Sequence, residues 1–170
     1  MKKLLVVVDM QNDFVSGVLG SKEACAIVSQ LSDKIKAWDG DLAVTLDTHG
    51  DDYYETVEGK KLPVAHCVRG TEGWKLVDLI NDAVDGRGEV FKKDTFGSLA
   101  LCDYIKKGGY EYIEFTGVCT DICVISNVML AKAALPNAHI VVDQSCCAGV
   151  TPQSHKTALS AMAQCHIEII

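Results

Sequence analysis

Six short apolar runs, separated by stretches of amphipathic pattern, constrain the fold of this chain more than any other feature. KLLVVV at 3–8 and LAVTLD at 42–47 are followed by runs at 88–92, 111–116 (EYIEFT), 138–143 (AHIVVD) and 166–170. A strand with one wet face alternates apolar and polar residues, whereas a strand covered on both faces reads as a continuous apolar run. These runs therefore predict buried strands of a parallel sheet. The intervening segments at about 23–37, 73–83, 97–107, 121–134 and 152–164 carry helical periodicity. Strand–helix alternation with right-handed crossovers gives an α/β class fold, a three-layer α/β/α sandwich. With 170 residues and no linker, repeat or low-complexity stretch, residues 1–170 are expected to form one domain.

Composition removes several classes of function. A formal charge of −7 offers no basic patch for nucleic acid or an anionic membrane. No run approaches the ~20 apolar residues of a membrane span. The opening MKKLLVVVDMQNDF meets acid too soon to serve as a signal peptide. A cytoplasmic location follows as the expectation. The eight cysteines are then expected to be reduced thiols, most of them small buried apolar groups, rather than a disulfide framework. Cys146 and Cys147 are adjacent and cannot point the same way on a strand; Cys25, Cys102 and Cys165 fall in or beside apolar helical faces.

In parallel sheets of this kind, ligands bind beyond the carboxyl ends of the strands. Asp9 follows the first run, Asp47 and His49 the second, Lys93 the third, and the fourth leads into GVCTDICV at 117–124 with Cys119 and Cys123. Any one of these has an ordinary explanation as a cap, a solvated side chain or a core thiol. Together they form a chemical set. A thiol of ordinary pKa is mostly protonated at neutral pH; a helix N-terminus and an ammonium group would favour its thiolate, and a carboxylate would accept its proton. On this reasoning Cys123 should be the low-pKa thiol of the chain. Backbone N–H groups of the turn before the helix could hold an oxyanion.

A second cluster occupies 47–66. Asp47 and His49 share one direction in an Asp-x-His pattern, and His66 follows later in the loop. Two imidazoles and a carboxylate with open positions suit a divalent metal, zinc first, with iron or manganese as alternatives. Glu58 is the first candidate for a fourth ligand and Glu55 the second; Cys67, beside His66, has a weaker claim.

These strings resemble one family. VVVDMQNDF (6–14), FKKDTFGS (91–98), GVCTDICV (117–124), DTH (47–49) and PVAHCVRGTEGW (63–74) are similar, in order and spacing, to the motifs of the nicotinamidase/isochorismatase-like cysteine hydrolases. The resemblance implies a Rossmann-like sandwich around a six-stranded parallel sheet. It implies a triad of Asp9, Lys93 (rather than Lys92) and Cys123, and a metal site of Asp47, His49 and His66. It also implies a cis peptide at Val118–Cys119, aiming the Cys119 N–H, with that of Cys123, at an oxyanion. The expected activity is hydrolysis of a small carboxamide to carboxylate and ammonia through a thioester, with a homo-oligomer as the expected assembly. The chain departs from nicotinamidases in two places: Lys61 to Ala65 lack the aromatic common before the second metal histidine, and Asp51 to Tyr54 stand where some members carry a third. Phe14 is a candidate to stack on a flat substrate. The alternatives are an isochorismatase-type vinyl-ether hydrolase, a hydrolase of a carbamoyl or ureido compound, and a non-enzymatic scaffold or metal-binding protein.

Overall fold

The computed structural model describes residues 1–170. Six strands form one sheet: β1 (Lys3–Val8), β2 (Asp41–Asp47), β3 (Glu89–Lys93), β4 (Tyr112–Val118), β5 (His139–Ala148) and β6 (Glu168–Ile169). Their order across the sheet is β3-β2-β1-β4-β5-β6, and every pairing is parallel. The chain winds outward from β1 to β3, then returns to the other side of β1 as β4. The carboxyl ends of β1 and β4 therefore flank the point where the winding reverses, which is where such a sheet opens a crevice.

The continuous apolar run of β1 is explained by its two faces. Leu4, Val6 and Val8 enter one core cluster, while Leu5 and Val7 enter the other. The first cluster lies under α5 (Leu99–Gly108), α6 (Ile125–Ala134) and α7 (Pro152–Gln164), through Leu101, Ile105, Val128, Leu159 and Met162. The second lies under α2 (Lys22–Ala37) and α4 (Asp78–Val84), through Ile27, Leu31, Ile35 and Ile80. Cys146 and Cys147 show the same division: both are buried, one in each cluster. Local chemistry sets the helix ends. Ser21 and Ser98 cap α2 and α5 by accepting N–H bonds from Ala24 and Leu101, and Thr151 with Ser154 forms a capping box ahead of Pro152. Two short helices, α1 (Asn12–Val15) and α3 (Val57–Lys61), and a 3-10 turn at Tyr53–Glu55 complete the elements.

Several expectations need correction. The run at 88–92 is not a buried strand: β3 is a sheet edge on which only Lys93 is buried. The last run contributes only the two residues of β6, at the opposite edge. The helix expected from 121 begins as a π-helical turn, Thr120–Val124, and becomes α-helical at Ile125. The helix expected at 73 starts at Asp78, because residues before it wrap against the end of β1. Cys25 and Cys165 are exposed rather than packed in apolar faces; all eight thiols are free. No helix is long and apolar enough to cross a membrane.

One polar network lies within the layer between α2 and the sheet. The Lys34 ammonium reaches Glu114 Oε1 at 2.5 Å and Asp143 Oδ2 at 2.8 Å, and the Tyr112 hydroxyl donates to Glu114 Oε2 at 2.8 Å. Asp143 also accepts from the N–H and hydroxyl of Ser145 where β5 slips register between Phe115 and Gly117 of β4. Burial opposes the charge on Asp143, but Lys34 and Ser145 hold its carboxyl below the usual range. Removing one partner of such a group leaves buried charge uncompensated. Lys34→Met should therefore lower the unfolding free energy by about 3 kcal/mol at pH 7. A folded-state carboxyl with a depressed pKa stabilises above its unfolded value and loses that contribution as pH falls through the acid range. The wild-type advantage should therefore shrink below pH ~4, which paired urea titrations at pH 7 and pH 3.5 would measure.

Candidate active site

The first cluster assembles at the carboxyl ends of β1, β3 and β4. Asp9 leaves β1 with φ +49°, in the left-handed region that costs a non-glycine residue energy. Its amide N–H donates to the Thr45 carbonyl at 3.2 Å, and the Thr45 hydroxyl donates to its Oδ1 at 2.6 Å. The residue is fully buried. The second carboxylate oxygen, Oδ2, lies 2.6 Å from Lys93 Nζ as an ion pair but outside hydrogen-bond geometry. It is a buried carboxylate oxygen with no hydrogen-bond donor of its own, so its acceptor capacity is free.

Lys93 ends β3 directly beside the last residue of β2, Asp47. Its ammonium is buried and contacts Asp47 Oδ1 at 3.2 Å, the Thr95 carbonyl at 3.1 Å and Cys123 Sγ at 3.5 Å, besides Asp9. Lys92 is exposed on the other side of the strand, 5.3 Å from the centre of the Trp74 ring. Burial acts to discharge Lys93, but Asp9, Cys123 and Asp47 outweigh it and hold the amine above its ordinary value.

The thiol departs from expectation. Cys123 lies within the π turn rather than at the N-terminus of a regular helix. Burial favours its neutral form, the Asp9 carboxylate adds to that, and Lys93 offsets only part, so the thiol is held well above its ordinary pKa. Asp9 is raised as well, by burial first, with Lys93 opposing. The resting arrangement is thus an ammonium–carboxylate pair beside a neutral thiol. Sequence reasoning counted the favourable charges and could not count the loss of water.

The Val118–Cys119 peptide is cis. Cys119 accepts through its carbonyl from Ile122 and Val124, while its own N–H has no protein acceptor. Gly117, with φ +108°, leaves no room for a side chain: a Cβ there would lie 2.1 Å from the Val8 carbonyl oxygen.

The second cluster adjoins the first through Asp47. Asp47 Oδ2 lies 2.9 Å from His49 Nε2 and 3.4 Å from His66 Nε2, while Glu58 Oε1 lies 3.9 and 3.5 Å from the same two nitrogens. One ligand atom from each of these four residues falls within 4.8 Å of all the others. Burial alone would discharge His66, but the Asp47 and Glu58 carboxylates beside its Nε2 and the Val64 carbonyl on its Nδ1 carry it up to about 10. Burial would raise Asp47, yet His49, His66 and Lys93 hold it well below the carboxylate range. Two carboxylates converging on two imidazoles are a donor set that fits a divalent cation. Glu55 is exposed and outside the group, and Cys67 is not part of it. Phe14 is half-buried, with its ring 5.3 Å from that of His66.

Four residues that support these clusters were not singled out from sequence. Thr45 was hidden as one hydroxyl in an apolar run. Tyr53, whose ring lies edge-on to both His49 and His66 at 4.9 and 5.2 Å, stood in a polar loop. Gln11 and Asp13 lie two and four residues beyond Asp9; two polar groups so close to a buried strand end were the available signal.

Comparison with known proteins agrees with this geometry. The profile of the isochorismatase domain matches residues 3–170. A nicotinamidase of Saccharomyces cerevisiae is 35% identical over 76% of this chain and 81% of its own. An uncharacterised isochorismatase-family protein of Bacillus subtilis is 30% identical over 96% of this chain and 95% of its own. The solved pyrazinamidase of Pyrococcus horikoshii, in complex with zinc, superposes with a TM-score of 0.84 at 22% identity, covering 100% of this chain and 99% of that one. On the extent of the profile match and of these alignments, the chain belongs to the isochorismatase family.

Proposed function

We propose that this protein hydrolyses the C–N bond of a small carboxamide, with Cys123 as nucleophile, Asp9 as general base and acid, and Lys93 as the charge that holds them in register. The observation that carries this reading is the buried Lys93 ammonium, 2.6 Å from Asp9 and 3.5 Å from Cys123 at the crevice end of the sheet. The nicotinamidase and pyrazinamidase relatives share this choice of bond.

The neutral thiol defines the order of events. As the substrate carbonyl arrives, Asp9 takes the Cys123 proton and Sγ attacks the carbonyl carbon; Lys93 stays charged and stabilises sulfur and carboxylate alike. The developing oxyanion is received by the Cys119 N–H, which has no other acceptor, and by the N–H of Cys123. The tetrahedral adduct collapses by breaking the C–N bond, and the nitrogen leaves as ammonia with the proton held by Asp9. Asp9 then takes a proton from water and the resulting hydroxide attacks the thioester. The second adduct collapses by breaking the C–S bond, the departing sulfur takes back the proton from Asp9, and the acid product loses its own proton to solvent and leaves as carboxylate.

Asp47, His49, His66 and Glu58 would hold a divalent metal, zinc by preference, with iron or manganese compatible with the same donors. When bound, the ion would supply a coordination position for a ring nitrogen or water of the substrate complex. Phe14, facing His66, would form one wall against a planar ring. These residues orient the carboxamide toward Cys123, and the pairing favours an aromatic carboxamide with a ring nitrogen.

Ammonia release from nicotinamide, pyrazinamide and a panel of small carboxamides and ureido compounds tests the reading. Cys123→Ala and Lys93→Ala should each lower kcat by about a thousandfold or more, while Lys92→Ala stays near wild type. Full activity of Cys123→Ala on a vinyl ether, with none on amides, would replace the thioester mechanism by the vinyl-ether alternative. A second measurement addresses the metal. His49→Ala should purify folded, because two apolar clusters carry the core, yet hold far less zinc per chain by elemental analysis than wild type. Equal metal content in both would remove His49 from the site.

A further inference from the structure

The turn that follows β1 does more than present Asp9. From it, Gln11 and Asp13 reach across to the two stretches that carry the metal-ligand candidates. The Gln11 amide is fully buried and meets the Asp47 peptide at both ends: the Asp47 N–H donates to Gln11 Oε1 at 2.8 Å, and Gln11 Nε2 donates to the Asp47 carbonyl at 2.9 Å. The second proton of Nε2 goes to the Trp74 carbonyl at 2.8 Å. Asp13 Oδ2 accepts the N–H of Cys67 at 2.8 Å. Cys67 follows His66, sits at φ +46°, and its carbonyl accepts the N–H of His49 at 3.0 Å. The loop at 71–75 is pressed onto the same turn. Asn12 and Asp13 donate backbone bonds to Lys75 and Gly73 at 2.9 and 3.0 Å, and a Cβ on Gly73 would fall 2.1 Å from Asp13 Oδ2. Glycine there lets the carboxylate approach.

We infer that Gln11 and Asp13 are positioning residues forming a bracket that sets Asp47, His49 and His66 relative to Asp9. The inference rests on the reading of Asp47, His49, His66 and Glu58 as a metal site. One five-residue segment, Asp9 to Asp13, then supplies the candidate base and also places three of the ligands. Neither bracket residue touches the ligand atoms; each holds the backbone of a ligand or of its neighbour. An isosteric methionine at Gln11 would strip the Asp47 peptide of both partners. Alanine at Asp13 would free the Cys67 N–H, whereas asparagine keeps an acceptor oxygen there. Outer-shell groups of this kind typically govern metal affinity by about 10- to 100-fold.

The test is a titration of the metal-stripped protein with cobalt(II) chloride alone, followed by visible absorption, for wild type, Gln11→Met, Asp13→Ala, Asp13→Asn and the core variant Leu159→Ala. Leu159 lies on the far face of the sheet and controls for lost stability. Gln11→Met and Asp13→Ala should bind cobalt about 10- to 100-fold more weakly with an altered d–d spectrum; Asp13→Asn and Leu159→Ala should bind as wild type does. Should Gln11→Met fail to fold, the contrast between the two Asp13 variants decides. Wild-type affinity in Asp13→Ala, or equal loss in Leu159→Ala, overturns the bracket while leaving the metal reading intact. A wild type that binds no cobalt overturns the metal reading and the bracket with it.

Discussion

The ammonium of Lys93 is the interaction on which the rest of the site depends. A buried amine is costly unless anions compensate it, and the carboxylates of Asp9 and Asp47 do so here, while the sulfur of Cys123 accepts a longer hydrogen bond from it. These three partners come from different strand ends, so the charge is compensated and the thiol reached only if β1, β2, β3 and the turn after β4 are in correct register. The same geometry explains why the thiol stays neutral. Desolvation is the larger cause, and Asp9 adds to it by neutralising much of what Lys93 could offer sulfur. Neutrality at rest suits a general-base mechanism, since an adjacent carboxylate with a raised pKa is a stronger acceptor when the electrophile arrives.

Asp47 joins the two clusters. Its Oδ1 faces the lysine and its Oδ2 faces both imidazoles, so one buried carboxylate belongs to both charge systems. Such a residue must be held from its backbone, because both side-chain oxygens are committed. The Gln11 amide does this, using the N–H and the carbonyl of Asp47 as an additional strand would. The polar chemistry of the site therefore hangs on a scaffold that hydrophobic burial alone could not specify.

Much of the architecture was legible in the residues. The uninterrupted apolar character of KLLVVV demanded cover on both faces, and the structure divides it between two clusters. Where the reading failed, edges and polar partners were responsible. GEVFK looks like a buried strand by composition, but nothing packs beyond β3, so only Lys93, facing inward, is covered. Cys25 falls on an apolar pattern and yet is exposed, because periodicity gives a face and not what that face meets. The π turn before α6 likewise depends on how the loop closes over the sheet.

The alternation of strands and helices and the acids and thiol placed after strands follow from sequence, because strand period and residue chemistry are local properties; the preference for Lys93 over Lys92 came from the motif's resemblance to the family. The resting state of Cys123, the sharing of Asp47 and the roles of Gln11, Asp13, Thr45 and Tyr53 were decided only by tertiary structure. Desolvation and hydrogen bonding between segments 36 or more residues apart depend on distances that no local pattern contains.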